Sequence, residues 1–155
     1  MSFDTRKGTR GNRQPSGGLF RWGNTLMARR LRRSKDGKMM GFNALVLHTV
    51  GRRSGQPRVN PVGWWPGSDG TWLICASANA AVDNPGWYYN LAAHPDQVSI
   101  EVDGETIPVT ADQLHGTERE EAWRTITTAA PRFAQYQVKT DRELPVIRLT
   151  RRPAG

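Results

Sequence analysis

Residues 44–65 read ALVLHTVGRRSGQPRVNPVGWW, two apolar runs on either side of a polar turn that contains three arginines. Both runs are rich in β-branched residues, and two glycines and a proline supply the bends between them. This pattern predicts two strands, at 44–50 and 57–65, joined by a tight turn. Pro61 interrupts the second run. Because proline cannot donate a ladder hydrogen bond, it predicts an edge strand or a bulge there.

The β pattern continues along the chain. TWLICAS at 71–77 is predicted as a third strand, so that the first three strands form an antiparallel meander. QVSIEVDGETIPVTADQL at 97–114 alternates on both sides of an Asp-Gly pair, which is typical of a hairpin. ELPVIRLTRR at 143–152 is predicted as the last strand.

Helical signals fall between these strands. Asn84 and Pro85 are typical of an N-cap followed by a first helical residue, and this helix runs to about residue 93. Thr117 and Glu120 have capping-box spacing, and Pro131 separates this helix from a further helical piece. The total is about six strands with three or four helices and no βαβ alternation. We therefore predict an α+β fold, a small closed or split β-barrel with packed helices.

The chain has 155 residues and a net charge of +8; residues 1–40 carry +9 and the remaining residues −1. Residues 1–18 are polar and glycine-rich and are predicted to be a disordered basic tail. Residues 19–36 are predicted to form a basic amphipathic helix. Residues 40–152, which are close to neutral, are predicted to form the barrel domain.

The predicted helix places apolar residues along one stripe and arginines elsewhere. Residues 19–33 could contact an anionic membrane surface. Alternatively, their arginines could hold an anionic ligand, or the apolar stripe could pack on the barrel. All three interpretations remain open at the level of sequence.

The single cysteine, Cys75, excludes an intramolecular disulfide and fits a reducing compartment. No apolar run approaches membrane-spanning length, and no secretory leader is visible. We therefore expect a cytoplasmic protein, and contact with a membrane surface stays open. The three histidines lack ligand spacing, so no metal site is predicted.

Arg52, Arg53 and Arg58 lie close together in the turn between the first two strands. Guanidinium groups match phosphate oxygens in pairs, and Ser54 adds a hydroxyl donor. Glycine in the turn lets backbone N–H groups approach an anion as well. The turn is therefore a candidate phosphate site, although an ordinary solvated hairpin tip has a similar composition.

Four stretches together resemble the deazaflavin-dependent nitroreductase family. They are GRRSGQPRVNP at 51–61, the ASAN loop at 76–79, NPGWYYNL at 84–91, and the YQ and TDRELPV segments within 136–146. The resemblance covers roughly residues 40–150. It implies a split barrel that binds coenzyme F-420, an 8-hydroxy-5-deazaflavin with a phosphodiester and a polyglutamate tail. It also implies hydride transfer from the reduced coenzyme to an electron-poor acceptor, which would be a quinone, an enone or a nitroaromatic.

The resemblance also implies which residues bind the coenzyme. The arginine turn would hold its anionic part, the second strand would run along it, the loop after the third strand would border the ring, and one helix would contact it. The corresponding positions are Arg52, Arg53, Ser54 and Arg58 in the turn, Pro61, Val62 and Gly63 on the strand, Ala76 and Ser77 in the loop, and Trp87 and Asn90 on the helix.

Trp87, Asn90 and Leu91 share one helical face, which would suit a flat polar ligand. The alternative is that Trp87 and Leu91 are core residues and that Asn90 bonds nearby backbone. Tyr136 is the candidate catalytic residue, because its hydroxyl could bond an acceptor oxygen or protonate it.

The sequence departs from the family where nitroreductases carry further tyrosines, since Ala130 and Phe133 stand there. No basic residue follows Ser77. The departures weaken the case for nitro compounds as substrates.

Two rival interpretations remain. A split barrel could instead bind FMN or haem, and the phosphate of FMN would also suit the arginine turn. A basic chain with several tryptophans could bind nucleic acid, although its charge is confined to the N-terminal arm. The sequence does not distinguish a monomer from a homodimer.

Overall fold

The computed structural model describes residues 3–14, 18–33, 37–39 and 42–153. Within these ranges there are four α-helices and eight strands, with two short 3-10 turns at Ser68–Gly70 and Ala78–Ala80. The helices are α1 (Gly18–Arg33), α2 (Gly86–Ala93), α3 (Gly116–Ala129) and α4 (Arg132–Lys139). The strands are β1 (Lys38–Met39), β2 (Phe42–Val50), β3 (Pro57–Gly63), β4 (Trp65–Pro66), β5 (Trp72–Cys75), β6 (Val98–Val102), β7 (Glu105–Gln113) and β8 (Val146–Arg151).

All strand pairings are antiparallel, and the main path through the sheet runs β1-β2-β6-β7-β8-β5-β4, with β3 paired to β2. The sheet curls into a half-barrel with helices against it, which confirms the predicted α+β split-barrel class. The six predicted strands correspond to the six described strands longer than two residues. Among the described strands β3 pairs only with β2, so Pro61 lies on an edge as predicted.

The hairpin of β6 and β7 follows directly from its sequence. Asp103 and Gly104 have φ values of +52° and +78°, as a two-residue type I′ turn requires. The resulting register pairs Val102 with Glu105 and Val98 with Val109. Alternate residues of β6 are then buried, and the sheet presents one apolar face to the interior.

The predicted meander of the first three strands is only partly correct because, of the predicted second strand, only its last residue, Trp65, pairs with the third strand. β5 pairs with β4 on one side and with β8 on the other, and does not pair with β3. The cause is local, because Trp65 and Leu73 bring β4 and β5 together as a small hairpin that occupies the edge β3 would need. The apolar β8 then takes the other edge of β5.

Two helix starts also differ from the prediction. The helix α2 begins at Gly86 with Pro85 as its N-cap, and the Asn84 side chain bonds elsewhere. The helix α3 begins at Gly116 without a side-chain cap bond. Thr117 therefore lies inside the first turn, where it cannot close a capping box with Glu120.

Apolar side chains form two clusters on either side of the sheet's curl. The first lies between β2, β6, β7, β8 and α2, and the second between β5, α3 and α4. In the first cluster Leu45, Leu47 and Ile100 are fully buried. Each such side chain stabilises the fold by roughly 1.5–3 kcal/mol relative to leaving it exposed.

The described part of the predicted disordered tail contacts the barrel instead of being disordered. Residues 3–14 lie along the barrel, and Asn12 forms a parallel bridge with Ala81. A side chain at Gly11 would come within 2.6 Å of the Ala80 carbonyl oxygen, so glycine is what permits this close approach. The glycine-rich composition that predicted disorder therefore allows close backbone contact with the barrel here. The remaining residues of the predicted tail that precede α1, 1–2 and 15–17, lie outside the described ranges.

The Asp141 carboxylate holds this N-terminal segment. It accepts hydrogen bonds from the Thr9 hydroxyl, from the Thr9 N–H at 2.8 Å and from the Arg10 N–H at 3.0 Å. These donors, the Thr9 hydroxyl first, lower the pKa of Asp141 to about 2, so the carboxylate is ionised at physiological pH.

Helix α1 is amphipathic as predicted, but its apolar stripe does not pack on the barrel. Ala28 is buried against the sheet, while Leu19 and Trp22 are 82% and 64% exposed. The end of the helix is fixed by Arg32, whose Nε lies 2.6 Å from Glu101 Oε2 on β6. Residues 34–36 of the predicted helix lie outside the described ranges. Within those ranges, no helix combines the length and apolarity needed to cross a bilayer.

Candidate functional site

The arginine turn is a tight, internally bonded loop between β2 and β3. The Gly51 N–H donates to the Gln56 carbonyl at 2.8 Å, and the Gly55 N–H to the Gly51 carbonyl at 2.9 Å. Gly55 has φ +69°, which favours glycine. The Ser54 hydroxyl accepts from the Gln56 N–H and from Arg58 Nη2. The turn is therefore fixed before any ligand arrives.

The three guanidinium groups of this turn carry uncompensated charge. The Arg52 and Arg53 residues are exposed and Arg58 is half-buried. Among the described residues, no carboxylate forms an ion pair with any of them. A fixed cluster of cations without counter-ions favours a polyanionic ligand, because each charge can form charge-assisted hydrogen bonds.

Helix α2 anchors the turn through Asn90. Its amide oxygen accepts from the Arg52 backbone N–H at 3.0 Å, and its amide nitrogen donates to the Thr49 hydroxyl at 3.2 Å. The Arg52 guanidinium also stacks on the Tyr89 ring, 4.5 Å from its centroid. Asn90 therefore bonds nearby backbone, as the sequence left open. A direct contact with coenzyme remains a prediction.

The Tyr89 side chain is held in place by a hydrogen bond to a carboxylate. Its hydroxyl donates to the Asp83 carboxylate, and burial together with this bond raises the pKa of Tyr89. The phenol therefore stays neutral beneath the Arg52 guanidinium. A neutral ring is a suitable cation–π platform that does not neutralise the arginine.

Trp87 and Leu91 belong to the first apolar cluster, and Trp87 is 8% exposed. Their packing matches the core interpretation that the sequence allowed. The same cluster includes Ala76 and is contacted by Val62. The structure thus brings together residues from three of the predicted coenzyme segments: the second strand, the loop and the helix.

The predicted strand and loop positions line this region. Pro61, Val62 and Gly63 are half-buried on the edge strand β3, opposite Val46, Leu45 and Ala44 of β2. Ala76 is fully buried and Ser77 is half-buried, directly after β5. Their contact with coenzyme stays a prediction.

Arg142 is a residue to which the sequence analysis assigned no role. It lies in the loop before β8, and its guanidinium bonds the loop that contains Ala76 and Ser77. A single arginine among polar residues carries no sequence signal of burial, so periodicity could not have identified it.

Tyr136 lies on α4, which packs against the 3-10 turn at Ala78–Ala80. Its ring contacts Phe133 edge-on, with centroids 5.3 Å apart, at the margin of the second cluster. Within the described part of the chain, its hydroxyl has no hydrogen-bond partner. Ala130 and Phe133 are both buried in that cluster.

Cys75 is unsuited to nucleophilic chemistry. It is buried, and burial raises the pKa of its thiol to about 12, so the thiolate is not formed near neutral pH. Over the described ranges, no group of three or more His, Cys, Asp and Glu side chains could hold a metal ion.

Comparison with known proteins bears on this site. A family model described as F420H2-dependent quinone reductase matches residues 22–151. A protein of Mycobacterium tuberculosis (strain ATCC 25618 / H37Rv) named as an F420H2-dependent quinone reductase is 38% identical over 112 residues. The match covers 70% of this chain and 74% of that protein.

Two solved structures are also similar. A structure described as an F420-H2 dependent reductase (FDR-A) has a TM-score of 0.62 and 34% identity, covering 68% of this chain and 92% of that one. A chain described as a domain-swapped dimer has a TM-score of 0.63 and 31% identity, covering 85% and 99%.

Proposed function

Because this chain belongs to the F420H2-dependent quinone reductase family, we propose that it is an oxidoreductase that uses coenzyme F-420 to reduce quinones. The arginine turn is the observation that carries the proposal. Three guanidinium groups that pair with no carboxylate of the described residues stand on a rigid, glycine-bent loop. Coenzyme F-420 has a phosphodiester and several carboxylates that could bind them. Family membership favours this coenzyme over FMN and haem.

The residues present fit the coenzyme. Arg52, Arg53 and Arg58 would hold its anionic part, and the Ser54 hydroxyl would keep Arg58 oriented. Asn90 fixes the backbone of the turn, so less conformational entropy is lost when the coenzyme binds. The loop at Ala76 and Ser77 would border the ring, in line with the predicted positions.

When bound and reduced, the deazaflavin supplies a hydride from ring carbon C5. The chain's own residues bind, orient and exclude water. Apolar packing of Val62 and Trp87 on the first cluster keeps that side of the site dry. A quinone that accepts a hydride also needs a proton on oxygen. The Tyr136 hydroxyl, which has no hydrogen-bond partner in the described part of the chain, is available to donate it.

The direct test is turnover with reduced coenzyme F-420. We expect the full chain to oxidise it in the presence of a soluble naphthoquinone, followed by coenzyme absorbance, and not to oxidise reduced FMN at a comparable rate. Nitroaromatics should be poorer acceptors, because Ala130 and Phe133 offer no hydroxyl. If the chain binds the reduced coenzyme but does not oxidise it with any quinone, quinone reduction is refuted.

Tyr136→Phe separates proton donation from packing in the same assay. The ring and its contact with Phe133 remain, while the hydroxyl is lost. We expect kcat to fall by about 100-fold, the low end for loss of a general acid, with unchanged coenzyme affinity. An unchanged kcat would assign the proton to water.

We also propose that α1 rests on an anionic membrane surface, where a lipid-soluble quinone would be met. Its exposed apolar side chains are Leu19, Phe20, Trp22, Leu26 and Met27, and five arginines accompany them. Apolar residues at the acyl boundary with arginines near anionic headgroups are typical of interfacial helices. The single cysteine supports a cytoplasmic location, in line with the expectation from sequence, and the protein would act there as a monomer or homodimer.

Sedimentation with vesicles tests this helix. We expect the chain to pellet with vesicles that contain anionic lipid and to remain in the supernatant with zwitterionic ones. Leu19→Ser combined with Trp22→Ser should reduce pelleting about tenfold or more, since roughly 25 cal/mol is lost per Å² of apolar area. Val138→Ser, an equally exposed apolar site on α4, is the matched control. Equal pelleting of all three proteins would contradict the proposal.

A further inference from the structure

Arg142 is buried deeply for a charged residue, with only 2% of its surface exposed. Its guanidinium donates to the carbonyls of Ala76 at 2.9 Å, Ser77 at 2.8 Å and Ala81 at 3.2 Å, and to the Asn84 amide oxygen at 2.7 Å. All four acceptors lie in the loop after β5. A lysine has three donors and could not make this set of bonds.

Arg142 makes no direct ion pair within the described ranges. Among the described residues, no carboxylate forms an ion pair with it. The ionisable groups around it are Cys75 on β5, Tyr88 and Tyr89 on α2, and Asp83 in the loop. The first three are neutral near pH 7. The Asp83 carboxylate accepts from the Tyr89 hydroxyl, remains charged, and offsets part of the Arg142 charge without direct contact.

An isolated buried cation costs several kcal/mol even when hydrogen-bonded. Arginine nevertheless remains protonated in proteins, so the site carries a permanent positive charge. This cost indicates that the charge of Arg142, or its hydrogen bonds, has a role in the loop after β5.

That loop has an unusual backbone. Ala78, Asn79 and Ala80 all have positive φ, of +46°, +54° and +63°, although none is glycine. This backbone conformation is strained for a residue with a side chain and persists only where surrounding contacts enforce it. Arg142 supplies those contacts from within, by fixing carbonyls on both sides of the three residues.

The same geometry turns N–H groups away from Arg142. Ser77 is right-handed and Ala78 left-handed, a combination that aims successive N–H groups at one concave side. Within the described part of the protein, the N–H groups of Ser77, Ala78 and Asn79 find no acceptor. The loop therefore presents donors outward, with a buried cation behind them.

We propose that Arg142 is a positioning residue for the coenzyme ring, which shapes this donor loop and favours the ionised form of the ring through its buried positive charge. The inference rests on the proposed function, since that places the ring against Ala76 and Ser77. The ring hydroxyl of coenzyme F-420 is acidic, and its negative charge is delocalised into the ring. A nearby positive charge lowers the pKa of that hydroxyl in the bound state. In the pH range just below the free coenzyme's pKa, affinity then rises with pH.

Asn84→Asp is the sharpest variant. It places a carboxylate where a neutral amide oxygen lies 2.7 Å from the guanidinium, and so neutralises Arg142 without removing it. The matched control is Asn84→Ala, which loses the same amide and its bond to the Thr5 carbonyl but adds no charge. A purely structural role for Asn84 would affect the two variants alike.

The experiment is an absorbance titration with pH of purified coenzyme F-420 bound to the full chain, together with its dissociation constant. We expect the wild-type chain and Asn84→Ala to lower the ring pKa relative to free coenzyme. Asn84→Asp should reverse that shift by about one pH unit and weaken binding about tenfold. Arg142→Lys, which keeps the charge but loses donors, should weaken binding while retaining part of the shift.

Two results would overturn the inference and can be told apart. If the wild-type chain binds coenzyme but Asn84→Asp and Asn84→Ala give the same ring pKa, Arg142 has no electrostatic role and the proposed function stands. If the wild-type chain does not bind coenzyme at all, the proposed function fails and this inference fails with it.

Discussion

Replacing Arg52 and Arg58 together by glutamine is expected to weaken binding of coenzyme F-420 by about 100- to 1,000-fold. Each hydrogen bond to a charged group contributes roughly 1.5–3 kcal/mol, or about 10- to 100-fold in affinity. Glutamine keeps a hydrogen-bonding amide but is about two atoms shorter than arginine, so the loss reports on both the charge and the reach of the guanidinium group. The Arg52 backbone N–H still bonds Asn90 in the variant, and the turn keeps its anchor.

Quenching of tryptophan fluorescence by added coenzyme measures this effect. Arg124→Gln, an exposed arginine on α3 outside the turn, is the control and should bind like the wild-type chain. Raising the salt concentration should weaken binding to the wild-type chain more than to the double variant, because salt screens exposed charges. A loss below about threefold in the double variant would remove the turn from the coenzyme site.

Trp87→Ala is expected to lower the free energy of unfolding by about 3–5 kcal/mol. The side chain is 8% exposed within the first apolar cluster, and truncating a buried aromatic loses transfer free energy and leaves a cavity. Urea denaturation followed by circular dichroism measures the change. A loss below about 1 kcal/mol would show that the indole contributes little to the packing of the first apolar cluster.

Trp87→Phe separates the core role from a coenzyme contact. Phenylalanine fills much of the same volume, so most of the stability should return while the indole plane is lost. If Trp87 contacts the coenzyme as the family resemblance implies, affinity should still fall in this variant. Wild-type affinity would leave Trp87 as a core residue only.

Local signals predicted much of the fold. The Asp-Gly pair between alternating runs identified the β6–β7 hairpin, since only a few residue types tolerate the positive φ of that turn. Pro61 identified an edge strand because a central strand needs the missing N–H. The arginine turn was visible because glycine, proline and charge are all local features of the sequence.

Long-range features were not predictable in this way. The pairing of β5 with β8 joins residues more than 70 positions apart, and nothing near Trp72 specifies Leu149 as its partner. The contact of Gly11 with the Ala80 carbonyl depends on close backbone approach, which composition alone presents as disorder. The burial of Arg142 depends on carbonyls that the loop after β5 turns toward it.

The amphipathic helix illustrates a third limit. Periodicity identified the apolar stripe of α1 but could not determine what the stripe faces. In the structure Ala28 faces the sheet, while the larger apolar side chains such as Trp22 face solvent.

The most direct measurement compares intact coenzyme F-420 with the same deazaflavin lacking its phosphodiester and glutamates, each titrated against the wild-type chain and the Arg52→Gln, Arg58→Gln variant. Recognition of the anionic part by the turn predicts a loss of about 100-fold or more for the intact coenzyme and almost none for the truncated one. Equal losses for both molecules would contradict it, because the arginines would then act on the ring or on the fold instead.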